Sequence, residues 1–236
     1  MIEKILNKIK RRIKKFLTRL SQRPVIWGNI RKVTPFSNVF GYERGPQSIA
    51  RYYIDQFISG QANDIKGTVL EIGDDTYTKL CGLLVEQADV LHVQEGNPKA
   101  TIVADLTSAD EIPDNTYDCI IMPQTIQFIY DFRSALKHTY RILKPNGVLL
   151  VTMSGITQIS RYDMERWGDY WRFTSLSVTK LFEEFFTSGN LTIKSHGNVL
   201  SAISFLEGLA SRELKKSELD FYDPNYEVII SVRAVK

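Results

Sequence analysis

The sequence of 236 residues predicts a doubly wound α/β fold built on a mostly parallel sheet. Three observations carry that prediction. Short, continuous apolar runs such as "GTVLEIG" (67–73), "YDCIIM" (117–122) and "GVLLVTM" (147–153) recur along the chain. Segments of helical spacing lie between them, and a strand apolar on both faces needs helices on both sides. Breakers stand where such elements end, among them Gly60 and the "KPNG" word at 144–147. A hydrophobic content of 43% suffices for a sizeable core in a chain of this length.

Residues 1–23 form the first region. Ile2, Ile5, Leu6, Ile9, Ile13, Phe16, Leu17 and Leu20 recur at steps of three and four, which places them on one stripe of a helix. This region holds nine basic residues and one acid, a charge of +8, whereas the remainder of the chain sums to −5. The overall +3 is therefore the tail's, and nucleic-acid binding by the folded body is disfavoured. A basic amphipathic helix suits an anionic membrane surface, or packing on a partner protein or on its own domain. No apolar run reaches the roughly 18 residues of a membrane span. The basic start also lacks the unbroken apolar core and cleavage site of a secretory signal.

Residues 24–65 form a cover segment: Pro24, a turn-rich "TPFSNVFGYERG", then a helix over "QSIARYYIDQFISG". Tyr42, Arg44 and Arg51 are candidates for contact with a ligand, while Tyr52, Tyr53 and Phe57 suit core packing. The main domain spans 66–236. Its expected strands are "GTVLEIG", "DVLHV", "ATIVADL", "YDCIIM", "GVLLVTM", "LTIKSHG" and "YEVIISVRAV". Helices are expected over "DFRSALKHTYRIL", over "SLSVTKLFEEFF" with Thr174 or Ser175 as cap, and over "SAISFLEGLASREL". The stretch Gln94–Ala100 is too short for a helical crossover, so the sheet edge at "ATIVADL" should be thin. Cys81 and Cys119 sit in apolar runs and read as buried thiols, with a reducing cytoplasmic setting as the default.

These words in this order resemble the class I S-adenosylmethionine (SAM) dependent methyltransferases over roughly residues 60–236. "VLEIG" is similar to the family's first motif, "VADL" with "IPDNTYDCII" to its acidic contact and fourth strand, and "RILKPNGVLLVT" to the run before strand five. The resemblance implies a Rossmann-like, seven-stranded sheet whose last strand runs antiparallel. The word "DYWRFT" (169–174) resembles a subgroup associated with glycosyltransferases and polysaccharide synthesis.

Ligands of such sheets sit beyond the carboxyl ends of the strands. The resemblance gives Glu71 the organisation of the cofactor loop and Gly73 the close approach of backbone to cofactor. Glu95 is the nearest acid for the ribose hydroxyls, because Gln94 stands where an aspartate is common. Asp105 is expected on the adenine amino group, Leu106 beside the ring, and Gln124 at the end of the fourth strand. Glu71 and Asp105 suit loop capping as well. Only one glycine follows the first strand, and Asp74 and Asp75 come next; carboxylates there would attract a cationic sulfonium and ammonium. The candidate bases are Asp163, Glu165, Asp169 and Tyr162 after the fifth strand. Trp171 and Arg172 in the same stretch suit fixing the loop. "MPQT" (122–125) lacks the word that suits planar nitrogen acceptors, which favours oxygen. Of the histidines, His92 and His138 read as structural and His196 as a residue able to face the cleft. No ligand spacing suggests a metal.

The sequence thus points to a cytoplasmic SAM-dependent O-methyltransferase at the inner membrane surface, acting on a sugar hydroxyl of a glycan or glycolipid precursor. Two alternatives stand beside it. One is a methyltransferase for a small lipophilic phenol or quinone. The other is a non-catalytic module docking on a glycosyltransferase or membrane complex. The oligomeric state stays open.

Overall fold

The computed structural model describes Lys10, Arg12 and residues 28–236. The chain divides into two compact units, Met1–Thr34 and Pro35–Lys236. In the first, Lys10 and Arg12 are helical and exposed, and Gly28–Ile30 forms a 3-10 turn. The rest of the amphipathic helix expected over 1–23 lies outside the described residues. Among the described residues, no helix is long and apolar enough to cross a membrane.

The second unit is built on one seven-stranded sheet in the order β3-β2-β1-β4-β5-β7-β6. The strands are β1 (Gly67–Ile72), β2 (Val85–His92), β3 (Ile102–Val103), β4 (Tyr117–Pro123), β5 (Leu143–Ser154), β6 (Leu191–His196) and β7 (Ile229–Val235). β1 to β5 pair in parallel, and β7 runs antiparallel to both β5 and β6. The thin edge at "ATIVADL" is present: β3 pairs with β2 at two residues, and no helix joins the two strands.

Period-two side chains sort the sheet into two cores. Leu70, Ile120, Met122, Leu149 and Val151 face α3 (Phe132–Ile142) and α5 (Ser175–Glu183). Val69, Cys119, Ile121, Val148 and Leu150 face α1 (Ile49–Ser59), α2 (Thr76–Cys81) and α6 (Val199–Leu206). In α1 the buried stripe is Ile49, Tyr53, Ile54 and Ile58, and each buried isoleucine stabilises by about 1.5–3 kcal/mol. Ser48 caps this helix by accepting from the Arg51 N–H. Thr174 and Ser177 form a capping box on α5. Two further short helices are α4 (Arg161–Met164) and α7 (Lys216–Leu219).

Three expectations need correction. The helix over "SAISFLEGLASREL" ends at Leu206, because Gly208 takes φ +71 and turns the chain into a 3-10 piece at Ser211–Glu213. "KPNG" does more than stop α3. Tyr117 pairs with Leu143 and Cys119 with Val148, so residues 144–147 bulge out between two ladder positions. Cys119 is buried as expected, but Cys81 is half-buried, with its sulfur 3.6 Å from the Ser59 hydroxyl.

Candidate active site

The chain leaves β1 towards β2 on one side, while β4 flanks β1 on the other; this change of direction opens a crevice at the strands' carboxyl ends. A cleft of about 530 Å³ occupies it. Its floor comes from Ile72 and Gly73, from Leu91 to Val93, from Ala104 to Thr107, and from Pro123 to Thr125. Asp163, Trp167 and Tyr170 reach it from the segment after β5.

Gly73 takes φ +92, and a Cβ built there would project into open space. Only glycine adopts this conformation cheaply, and the gap lets a ligand approach the backbone. The peptide is held by Asn97, whose amide donates to the Gly73 carbonyl at 2.7 Å.

Glu71 is fully buried and does not line the cleft. Its carboxylate accepts from the Tyr77 N–H (3.0 Å), the Thr78 N–H (2.8 Å) and the Thr78 hydroxyl (2.8 Å). It therefore caps α2 from the adjoining strand and fixes the loop that carries Gly73. Burial pushes its pKa up, against the pull of those hydrogen bonds.

The two aspartates after Gly73 are also spent on the loop. Asp74 accepts from the Thr76 N–H at 3.0 Å, and Asp75 pairs with Lys79 (2.5 Å) and Lys99 (3.1 Å). Neither lines the cleft. Glu95 and Gln94 are exposed and also lie outside it. His92, which the sequence suggested as structural, stands on the cleft wall instead, with Nδ1 2.8 Å from the Gln94 carbonyl oxygen.

At the other end, Asp105 and Leu106 line the cleft side by side. Thr107 donates twice to Asp105 Oδ1, through its N–H and its hydroxyl, both at 2.8 Å. This orients the carboxylate and leaves Oδ2 to accept from a ligand.

A second, smaller cavity of about 150 Å³ adjoins the first, and Gln124, Phe128 and Asp163 line both. Phe40, Tyr42 and Arg51 close it from the cover segment, and Ser154, Ser160 and Arg172 from β5 and beyond. Gln124 is strained into φ +52 and held by its N–H to the Thr152 carbonyl (2.9 Å). Gln127, buried to 1%, donates to Gln124 Oε1 at 2.9 Å, and its carbonyl accepts from the Tyr170 and Trp171 N–H groups. Gln127 Oε1 is buried without a hydrogen-bond partner among the described residues.

The four candidate bases separate clearly. Asp163 lines both cavities, and the Ser160 hydroxyl donates to its Oδ2 at 2.5 Å. Asp169 lines the smaller cavity, but Arg172 grips both its oxygens (2.5 and 2.8 Å) and the Ser160 N–H donates to it (2.9 Å). Burial pushes the Asp169 pKa up, yet the Arg172 and Ser160 bonds outweigh it and hold the carboxyl below its ordinary value. Tyr162 is exposed, with the Arg166 guanidinium 3.4 Å over its ring. Glu165 is exposed and lines neither cavity.

Residues 70–151 match the family model described as a methyltransferase domain. A curated relative, the ubiquinone/menaquinone biosynthesis C-methyltransferase UbiE of Haemophilus ducreyi, is 33% identical over 90 residues, which are 37% of this chain and 29% of that protein. Among solved structures, a SAM-dependent methyltransferase from Archaeoglobus fulgidus superposes with a TM-score of 0.54 at 11% identity, covering 85% of this chain and all of that one. The N-methyltransferase NodS of Bradyrhizobium japonicum, solved with S-adenosylhomocysteine, gives 0.50 at 14% identity over 86% of this chain and 94% of its own. The chain thus shares the fold of the SAM-dependent methyltransferases. Their methyl donor, S-adenosyl-L-methionine, fits the residues present: a glycine whose missing Cβ leaves room, an oriented carboxylate at Asp105, and the apolar Leu106 beside it.

Among the described residues, no group of three or more histidines, cysteines or acids could hold a metal ion.

Proposed function

We propose that this protein is a SAM-dependent O-methyltransferase whose acceptor is a sugar hydroxyl. The observation that carries the reading is the junction of the two cavities at Gln124, Phe128 and Asp163. One cavity has the features of a cofactor cleft, and the other is a compact chamber beside it, lined by both aromatic and polar side chains.

When bound, the cofactor supplies a methyl carbon already activated by its sulfonium. Gly73, Asp105, Leu106 and Gln124 would hold it. The work left to the protein is alignment, exclusion of water and acceptance of one proton. Asp163 is the base of this reading. It alone among the four candidates faces both cavities, and its carboxylate is held by one hydroxyl, not by an arginine. It would take the proton of the acceptor hydroxyl as that oxygen bonds to the methyl carbon and the carbon–sulfur bond breaks, leaving S-adenosylhomocysteine. Ser154 would receive one of the acceptor's remaining hydroxyls, and a chamber of about 150 Å³ suits a single sugar ring. The "DYWRFT" word supports the glycan assignment, and the basic segment 1–23 supports work at an anionic membrane surface or on a partner protein.

A second reading has one observation in its favour. The UbiE-like stretch favours carbon methylation of a phenol or quinone ring, in which Asp163 would deprotonate the phenol instead.

The test is calorimetric titration with S-adenosylhomocysteine, followed by methyl transfer from labelled SAM to sugar and phenol panels. The O-methyltransferase reading expects micromolar binding, transfer to sugars, and an Asp163→Asn variant that binds but does not transfer. A folded protein that fails to bind S-adenosylhomocysteine would sink both readings and leave a non-catalytic module.

A further inference from the structure

A third cleft, of about 640 Å³, lies apart from the two cavities of the active site and shares no lining residue with either. It opens at the carboxyl end of β6. Tyr53 and Gln56 of α1 form one wall, His196 the floor, and Asp220, Phe221 and Tyr222 the far side.

Its chemistry is unusual for a surface groove. Phe221 is 65% exposed and Tyr222 53% exposed, two aromatic faces left bare on consecutive residues. The Tyr222 hydroxyl lies 3.1 Å from that of Ser195, which fixes the ring instead of letting it fold away. Between the aromatics and α1 stands a built polar array. Asp220 accepts from the Tyr52 hydroxyl (2.6 Å), from the Gln56 amide (3.3 Å) and from Lys216. The lysine cancels the aspartate's charge.

His196 completes the array with a half-buried imidazole. Tyr53 stacks on it at 5.8 Å, and its Nε2 lies 2.8 Å from the Ser231 hydroxyl. That hydroxyl donates to the Lys194 carbonyl at 3.3 Å, so it accepts from Nε2–H. The imidazole's proton is then on Nε2, and Nδ1 is an acceptor. Burial holds His196 neutral, with its pKa down to about 4, at any physiological pH.

Bare aromatic faces beside neutralised, hydrogen-bonding groups recognise a ligand with apolar C–H faces and a rim of hydroxyls. A phosphate or carboxylate ligand would need surplus positive charge, and among the described residues Lys194 is the lone cation on the lining. We infer that this cleft is a saccharide-binding site, distinct from the methyl-transfer site.

Helix α1 links the two sites. Ala50, Arg51 and Ile54 line the small chamber, and Tyr53 and Gln56 line the third cleft, on another face of the same helix. A helix is roughly 10 Å across, about the length of two sugar units, so one chain could reach from chamber to cleft. That last step rests on the sugar-acceptor reading; saccharide binding in the cleft does not.

The experiment uses the full chain and no turnover. The protein is presented to an array of neutral oligosaccharides of about two to six hexose units, and hits are titrated in solution. The expected result is binding that a Phe221→Ala/Tyr222→Ala variant weakens about tenfold or more, while its affinity for S-adenosylhomocysteine and its melting temperature stay as in the parent. Both side chains are exposed, so the variant should fold. Three outcomes would overturn the inference: no binding on the array, equal binding by the variant, or displacement of the saccharide by S-adenosylhomocysteine. Each is separable from failure of the methyltransferase reading, which is read by S-adenosylhomocysteine binding and methyl transfer, not by the array.

Discussion

The indole of Trp167 meets the imidazole of His92 edge to face, with ring centroids 5.8 Å apart and planes at 84°. Both residues line the larger cleft: His92 ends β2, and Trp167 follows the short helix after β5. Their contact carries the post-β5 segment across the cleft mouth. Gly168 makes this path possible, because at φ +100 a Cβ would fall 2.2 Å from the Tyr170 ring. Trp167→Ala is expected to open the mouth and weaken S-adenosylhomocysteine about tenfold, with little change in melting temperature. Unchanged affinity would mean that the segment stands clear of the cofactor.

A neighbouring pair separates base from brace. Asp163 and Asp169 both face the small chamber, yet only Asp169 is clamped by Arg172. Asp163→Asn should cost about 10²–10⁴-fold in kcat and leave the melting temperature within a degree or two. Asp169→Asn should do the reverse: a buried carboxylate gripped by a guanidinium is lost, destabilising by about 3 kcal/mol, with Arg172 left unpaired. Arg172→Lys should not restore the clamp, since an ammonium cannot hold both oxygens as a planar fork does. Melting curves and initial rates on the same preparations check this. Equal effects of both aspartate variants on kcat, with no loss of stability, would move the base to Asp169.

How much of this was legible beforehand follows from what each feature depends on. Strand positions depend on local apolar runs, and those at 67–72, 117–123 and 229–235 were readable directly. Gly73 and Asp105, which both line the larger cleft, each sit in a short contiguous word, "VLEIG" and "VADL". Glu71 was legible as the organiser and cap of its loop; the fates of Asp74 and Asp75 were not, since two adjacent carboxylates look alike until the N–H and the lysines that take them are placed. His92, Gln127 and Trp167 were missed for a further reason. Their roles arise where the post-β5 segment folds back over β2 and β4, a contact between residues some 40 to 75 positions apart. One signal was present: Gln127 is the second glutamine after "MP", three positions past Gln124, the spacing that places two side chains side by side in a tight turn.

Glu71 gives a stability prediction. Three donors converge on one buried carboxylate, so Glu71→Ala strands two backbone N–H groups and a hydroxyl. The expected cost is about 2–4 kcal/mol, read by chemical denaturation. The sign of its pH dependence is the less common one. The folded pKa is raised, by burial first, so the native state binds a proton more readily than the unfolded chain. Stability from this group therefore falls as pH rises from the ordinary carboxylate value through the folded pKa. The Ala variant should lack that component, and a parent and variant with parallel pH profiles between about pH 4 and 7 would refute it.

His196 supplies the opposite slope, and in a window where few other groups titrate. Its pKa falls from 6.5 to about 4, with burial as the larger cause and the charge of Lys194 the smaller. The neutral ring is stacked on Tyr53 and bonded to Ser231, and a second proton would have to enter a site built without a partner for it. In the unfolded chain the imidazole protonates as pH drops below 6.5, while in the native protein it stays neutral. Unfolding thus takes up a proton between pH 6.5 and 4, and stability declines across that window before levelling below it. The size is on the order of 3 kcal/mol, the equivalent of the whole shift. His196→Gln keeps a donor near Ser231 but cannot titrate. It should be less stable than the parent at pH 7.5 and should lose stability less steeply down to pH 4.5. If the variant falls as steeply as the parent, the slope belongs to other groups and His196 is more solvated than its burial against Tyr53 implies.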